Sequence, residues 1–222
     1  MDLTLTFVLK SLLIISLSNC VNGQDFLSKY NAPLDYTKSS MKEFSTVKDL
    51  KKLPHKVTLV LCNKTSVYYV LKEPSVIHRY KVTFPPSEKE YHFDSVEHEI
   101  RLMQAINHPL IVRMPHYFTN EGHPYMVIDY VEGGTLAELI NTLGALDEWH
   151  IRFYLGQILS ATKHLHDHGV THGDLFNVNI MLDKRGNVKI IDFERSMIFF
   201  GTTRNAARES AGSTSIETKV VP

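Results

Sequence analysis

Residues Val170 to Glu194, VTHGDLFNVNIMLDKRGNVKIIDFE, constrain the fold more than any other stretch of the chain. The segment reads as a short loop, an apolar strand, a turn at Arg185-Gly186-Asn187 and a second apolar strand ending in an aspartate. Strands of that composition are buried, yet Asp174, Asn179 and Asp192 stand at their ends. Two carboxylates and an amide are costly to desolvate unless they bind something, and together they suit a hard cation such as Mg²⁺. The hairpin is therefore expected to support a polar, cation-holding cleft.

Upstream the pattern is strand-rich. VTLVLCNK and VYYVLK are two β-rich runs separated by a short polar turn, the signature of a hairpin. SVEHEIRLMQAIN places Val96, Ile100, Met103 and Ile106 at the spacing of an amphipathic helix. HPLIVRMPHYF and PYMVIDYV read as another strand pair, joined at Asn120-Glu121-Gly122. Gly133-Gly134 breaks the chain, and helices are expected at 135–143 and 147–167, the second with Ile151, Tyr154, Ile158 and Leu165 mostly on one face. The order is α+β: a β-rich lobe with one helix, a glycine hinge, then a mostly helical lobe carrying a hairpin. A chain of 222 residues with 43% hydrophobic content can build a core for two such lobes. Lys+Arg and Asp+Glu both number 24, so no net field draws the chain to nucleic acid or to a membrane surface.

The N-terminus, MDLTLTFVLKSLLIISLSNCVNGQ, has a lysine at position 10, an apolar run Leu12 to Leu17 and small residues at Ser18, Cys20 and Gly23. It reads as a secretory signal peptide over 1–23, with candidate cleavage points after Cys20 and Gly23. The alternative is an apolar N-terminus on a cytosolic chain. The run is far short of the ~20 residues that a membrane span needs. After cleavage Cys62 would remain without an internal disulfide framework, and Asn63-Lys64-Thr65 is a glycosylation sequon usable in the secretory pathway. Residues 24–43, with Pro33 and Ser39-Ser40, read as an irregular linker.

Over roughly residues 44–200 these motifs, in order, resemble the eukaryotic protein kinase family. The resemblance implies a two-lobed fold, with an N-lobe and hinge over 44–131 and a partial C-lobe with the catalytic loop over 132–200. It implies ATP and Mg²⁺ as cofactors. Lys72 at the end of YYVLK would hold the α and β phosphates, with Glu99 as its ion-pair partner. THGDLFNVNIML is similar to the catalytic loop, with Asp174 as base and Asn179 as metal ligand, and IIDFE to the segment whose aspartate, here Asp192, holds the main Mg²⁺. In YMVIDYVEGGTL, Ile128 would be the gatekeeper and Asp129 to Val131 would face the adenine, flanked by Val57, Val70 and Met181. Met103, Met114, His172 and Phe193 match the apolar column that links the lobes in an assembled kinase.

The departures are equally specific. DLKKLPHKV, residues 49–57, stands where the family has a glycine-rich loop and contains no glycine. HGD replaces HRD, Phe176 occupies the place of a lysine that contacts the transferred phosphate, and Glu194 replaces the glycine after Asp192-Phe193. Residues 201–222 are Ser/Thr/Ala-rich and read as a disordered tail, with no counterpart of the family's peptide-positioning segment and later helices. Surface near Phe153, Leu155 and Leu159 is then expected to be exposed, or covered by a protein partner. The chain reads as a minimal domain, a truncated product or one that needs that partner. His164 and His168 lie at a spacing that can bind metal, but no third ligand is evident. The functions implied are phosphate transfer from Mg-ATP to a protein Ser/Thr hydroxyl, a secreted pseudokinase acting as a binding module, or a small-molecule kinase of the choline and aminoglycoside type.

Overall fold

The computed structural model describes residues 23–51, 56–74, 95–200 and 219–221. Five strands form one antiparallel sheet in the order β1-β2-β3-β5-β4: β1 Phe44–Lys51, β2 Val57–Cys62, β3 Tyr68–Lys72, β4 His116–Asn120 and β5 His123–Asp129. Alternation along β2 sends Thr58, Val60 and Cys62 inward, and Val60 and Cys62 meet Phe44, Leu71, Phe118 and Val127 in a small core of their own. The β4–β5 turn places Glu121 at φ 52° and Gly122 at φ 77°, the left-handed pair that a tight hairpin demands. Helix α2, Ser95–Ala105, buries Val96, Ile100, Leu102 and Met103 in the main core. This is the β-rich lobe with one helix that the sequence implies.

The strand read into HPLIVRMPHYF starts only at His116. Pro109 and Pro115 have no N–H to give a ladder, so the stretch between them pairs only locally. There the Val112 N–H donates to the Ile190 carbonyl at 3.0 Å, and the Ile190 N–H to the Leu110 carbonyl at 2.9 Å. A parallel bridge between Ile111 and Ile190 is thus a seam between the two lobes.

Past the hinge come helix α3, Leu136–Leu143, and helix α4, Glu148–Asp167. Both start one residue later than their sequence signals because Thr135 and Asp147 are caps, accepting from the Glu138 and His150 N–H groups. Strands β7 Ile180–Leu182 and β8 Val188–Ile190 make the hairpin of the second lobe. Its turn is held by the Asp183 carboxylate, which accepts from the Arg185 and Asn187 N–H groups at 2.8 and 2.9 Å. Gly133 docks this hairpin on the hinge: its N–H donates to the Leu182 carbonyl at 2.9 Å, and a Cβ at Gly133 would overlap that carbonyl. Strand β6, Val170–Thr171, pairs with β9, Met197–Phe200, which also pairs with β10, Lys219–Val221.

Two readings of the sequence change here. Residues 24–43 are not irregular throughout: Gly23–Tyr30 is helix α1, and Phe26, at 1% exposure, belongs to the main core. Phe26, Leu27 and Tyr30 lie on one helical face, a short period that polar neighbours obscured. Of the tail, 201–218 and residue 222 lie outside the described residues, and Lys219–Val221 is a strand rather than coil. The signal-peptide reading falls on 1–22, also outside them.

Two glycines separate close packing from mere flexibility. Gly133→Ala is expected to lower stability by about 1–3 kcal/mol through overpacking against the hinge-docked strand. Gly156→Ala, on helix α4 with open space around its Cβ position, is expected to raise it by about 1 kcal/mol through helix propensity. Urea denaturation of the two variants checks both signs, and a stabilised Gly133→Ala would refute the close-approach account.

Candidate active site

Lys72 ends β3, where register pairing with Val57 and Met126 fixes its backbone on both sides. Its ammonium is buried with two short partners: Glu99 Oε2 at 2.7 Å and Asp192 Oδ1 at 2.9 Å. Glu194 Oε2 stands 3.7 Å away as a third carboxylate. Burial alone would drive the lysine towards neutrality, but Glu99 first and then Asp192 outweigh it, and its pKa lies above the ordinary lysine value. Glu99 is wholly buried, which pushes its carboxyl up while Lys72 pulls it down. Its second oxygen accepts from the Phe193 N–H at 3.0 Å, so both oxygens are satisfied and the ionised pair is the state that the geometry supports. One glutamate on α2 thereby ties a strand of the first lobe to the segment after β8.

Asp192 sits at φ 65°, in the left-handed region that aspartate tolerates at a cost of roughly 1 kcal/mol. Burial works against its carboxylate, yet Lys72 holds it below the ordinary aspartate range. Across the cleft, the Asn179 amide donates to the Asp174 carbonyl at 2.8 Å and to Asp174 Oδ2 at 3.0 Å. His172 hydrogen-bonds the Ile191 carbonyl at 3.0 Å and packs its ring on Phe193 at 4.7 Å. Catalytic loop and aspartate segment are thus stitched together by backbone and ring contacts. The structure brings Lys72, Glu99 and Asp192 into one cluster, and Asp174 with Asn179 into a second.

Gly173, where the family has arginine, has φ 75°, and a Cβ there would overlap the Arg195 carbonyl. The bare glycine lets the chain after Asp192-Phe193-Glu194 lie directly on the loop. Arg195 then reaches Asp174, Nη1 to Oδ1 at 3.9 Å. The sequence reading missed Arg195, and no local pattern marks it, because the contact exists only once loop and strand end meet. Glu194, expected to add a carboxylate near the metal, stands beside the Lys72 ammonium.

Among the apolar positions, Val70 and Val131 are buried, and Val57, Ile128 and Met181 are part-buried; Val70 pairs with Ile128 across β3–β5. Met103 and Phe193 lie in the main core with Met114 packed against it. The Asp129 carboxylate takes Arg113 Nε at 2.7 Å, and the Asp129 N–H donates to the Arg113 carbonyl at 2.9 Å. Residues 52–55, within the glycine-free stretch, lie outside the described residues. Phe153 and Leu159 are exposed and Leu155 is half-buried; Trp149, at 66% exposure, stacks on Phe153.

Asp192 and Asn179 offer the two oxygen donors that Mg²⁺ takes when phosphates supply the rest of its shell, so the donor set fits that ion. Among the described residues no group of three or more His, Cys, Asp or Glu side chains could hold a metal by itself. His164 and His168 lie ring against ring at 4.4 Å, with His108 packed on His164 at 4.8 Å.

Against known proteins, the family model for the protein kinase domain matches residues 38–214. The chain is 32% identical over 135 residues to the serine/threonine-protein kinase cds1 of Schizosaccharomyces pombe, covering 61% of this chain and 28% of that protein. It is 37% identical over 105 residues to the CBL-interacting protein kinase 1 of Oryza sativa, covering 47% and 23%. With the human ribosomal protein S6 kinase alpha-2 the identity is 33% over 118 residues, covering 49% and 16%. The aligned part is at most 28% of the length of these relatives.

Burial holds His98, His166 and His172 below the ordinary histidine value. In the unfolded chain such imidazoles take up protons as pH falls through about 6.5, while the folded protein keeps them neutral to lower pH. Their contribution to stability is therefore complete above that pH and is lost as pH falls below it. The urea midpoint is expected to drop between about pH 7.5 and about pH 5.5. A midpoint that holds or rises over that interval would contradict the burial argument.

Proposed function

The chain belongs to the protein kinase family, and from that premise we propose that it binds Mg-ATP and transfers the γ-phosphate to a protein Ser/Thr hydroxyl. The observation that carries the reading is Lys72, held at 2.7 Å by Glu99 and at 2.9 Å by Asp192. A lysine so placed exchanges its bond to Asp192 for the α and β phosphates, with Glu99 keeping it extended. Asp192 and Asn179 would hold Mg²⁺, which would supply charge neutralisation along the phosphates. Asp174 accepts a hydrogen bond from the attacking hydroxyl and orients it, and the Asn179 amide fixes the carboxylate by occupying Oδ2. His172 and Phe193 keep the two polar segments in register. Serine/threonine kinases recur among the relatives, which favours a protein hydroxyl over the small alcohols of choline-type or aminoglycoside-type kinases.

A second reading, a kinase-like binding module without turnover, is favoured by one observation. Phe176 is 41% exposed in the catalytic loop, an apolar side chain where the transferred phosphate would need a cation. The leader-like sequence of residues 1–23 further leads us to propose that either activity is exercised in the secretory pathway or outside the cell.

A thermal-shift titration with ATP and Mg²⁺, run beside phosphate transfer to a generic Ser/Thr substrate, tests both. The melting temperature is expected to rise only with Mg²⁺ present, and the rise to vanish in Asp192→Asn. Asp174→Ala is expected to lower kcat by about 100-fold or more while leaving the Mg-dependent shift in place. Binding without any transfer would sink the phosphotransfer reading, and a cooperative melt with no Mg-dependent shift would favour the module.

A further inference from the structure

Helix α1, Gly23–Tyr30, precedes the stretch matched by the kinase family, which begins at residue 38. It is nevertheless built into the core through Phe26, whose ring lies 6.0 Å from Tyr30 and 6.2 Å from His168. From its last residue a hydrogen-bonded chain enters the site. The Tyr30 hydroxyl meets His98 Nδ1 at 2.8 Å, and His98 Nε2 meets the Ser196 carbonyl at 3.0 Å. A carbonyl only accepts, so Nε2 carries the proton and Nδ1 receives the Tyr30 O–H. Burial keeps both partners neutral, pushing the phenol up and the imidazole down.

His98 is the residue before Glu99 on α2, and Ser196 is four residues past Asp192. The chain Tyr30–His98–Ser196 therefore joins α1, the helix that carries Glu99 and the segment that carries Asp192 and Phe193. A second tie lies one turn along: Arg101 donates to the Ala32 carbonyl at 3.2 Å and is held by Glu97 at 2.7 Å. Turning α2 about its axis to withdraw Glu99 from Lys72 would break both ties.

We propose that Tyr30 and His98 are positioning residues: α1 braces α2 from outside the kinase-matched region and keeps Glu99 on Lys72. The brace is a matter of geometry, and its consequence for catalysis rests on the phosphotransfer reading. It differs from general packing support because it acts at one place, the ammonium of Lys72.

The test is the rate at which N-hydroxysuccinimidyl acetate acetylates Lys72 in the full chain, read by peptide mass spectrometry with Lys189 as internal reference. Tyr30→Phe removes one hydroxyl and nothing else. It is expected to speed Lys72 labelling about five-fold relative to Lys189, the shift that loss of one net hydrogen bond produces. His98→Leu is expected to do at least the same. His98→Gln, which can accept from Tyr30 and donate to Ser196, is expected to stay within about two-fold of wild type. Should His98→Leu fail to fold, Tyr30→Phe decides. Wild-type labelling of Lys72 in Tyr30→Phe, or an equal rise at both lysines, overturns the proposal. Phosphate transfer on the same proteins separates the two claims. A wild type that transfers nothing defeats the phosphotransfer reading and leaves labelling to decide the brace. A wild type that transfers, with labelling unchanged in Tyr30→Phe, defeats the brace alone.

Discussion

The contact on which the rest depends is the buried ammonium of Lys72 between Glu99 and Asp192. A lone charge in that position would be driven neutral, and removing one member of a buried pair costs on the order of 3–5 kcal/mol because the other is left uncompensated. The three residues come from β3, α2 and the segment after β8, so the pair forms only when those elements are in place together. Glu99 has two oxygens and uses one on each side, taking the Lys72 ammonium and the Phe193 N–H. The site is therefore assembled from elements of both lobes.

Around that contact the structure trades side chains for backbone approach. Gly133 lets the hinge lie on β7, and Gly173 lets the chain after Glu194 lie on the catalytic loop. In both places a carbonyl occupies the space that a Cβ would need. The second has a chemical consequence, since Arg195 arrives beside Asp174 as the family's arginine position is emptied. Positive charge beside Asp174 is thus supplied from the turn after Phe193 rather than from the loop, where Phe176 is apolar. Glu194 likewise joins the carboxylates around Lys72.

The sequence by itself determined the order of the main elements, the α+β class, the three hairpins, and the candidates Lys72, Glu99, Asp174, Asn179 and Asp192. The elements, and Asp174, Asn179 and Asp192 as polar groups too costly to bury at strand ends without a ligand, are local signals, whereas Lys72 and Glu99 came from the resemblance to the kinase family. The tertiary structure alone decided what the polar groups meet. The Asp129 carboxylate meets Arg113, Arg195 meets Asp174, and the strand expected from residue 108 starts at His116, the stretch between the two prolines pairing with Ile190 instead. Helix α1 was hidden for the same kind of reason. Its apolar face is one short turn among polar neighbours, and Phe26 is a core residue only because α2 and His168 are there to cover it. Periodicity records which side of an element is dry, whereas partners separated by dozens of residues are set by how elements pack, and no local pattern carries that information.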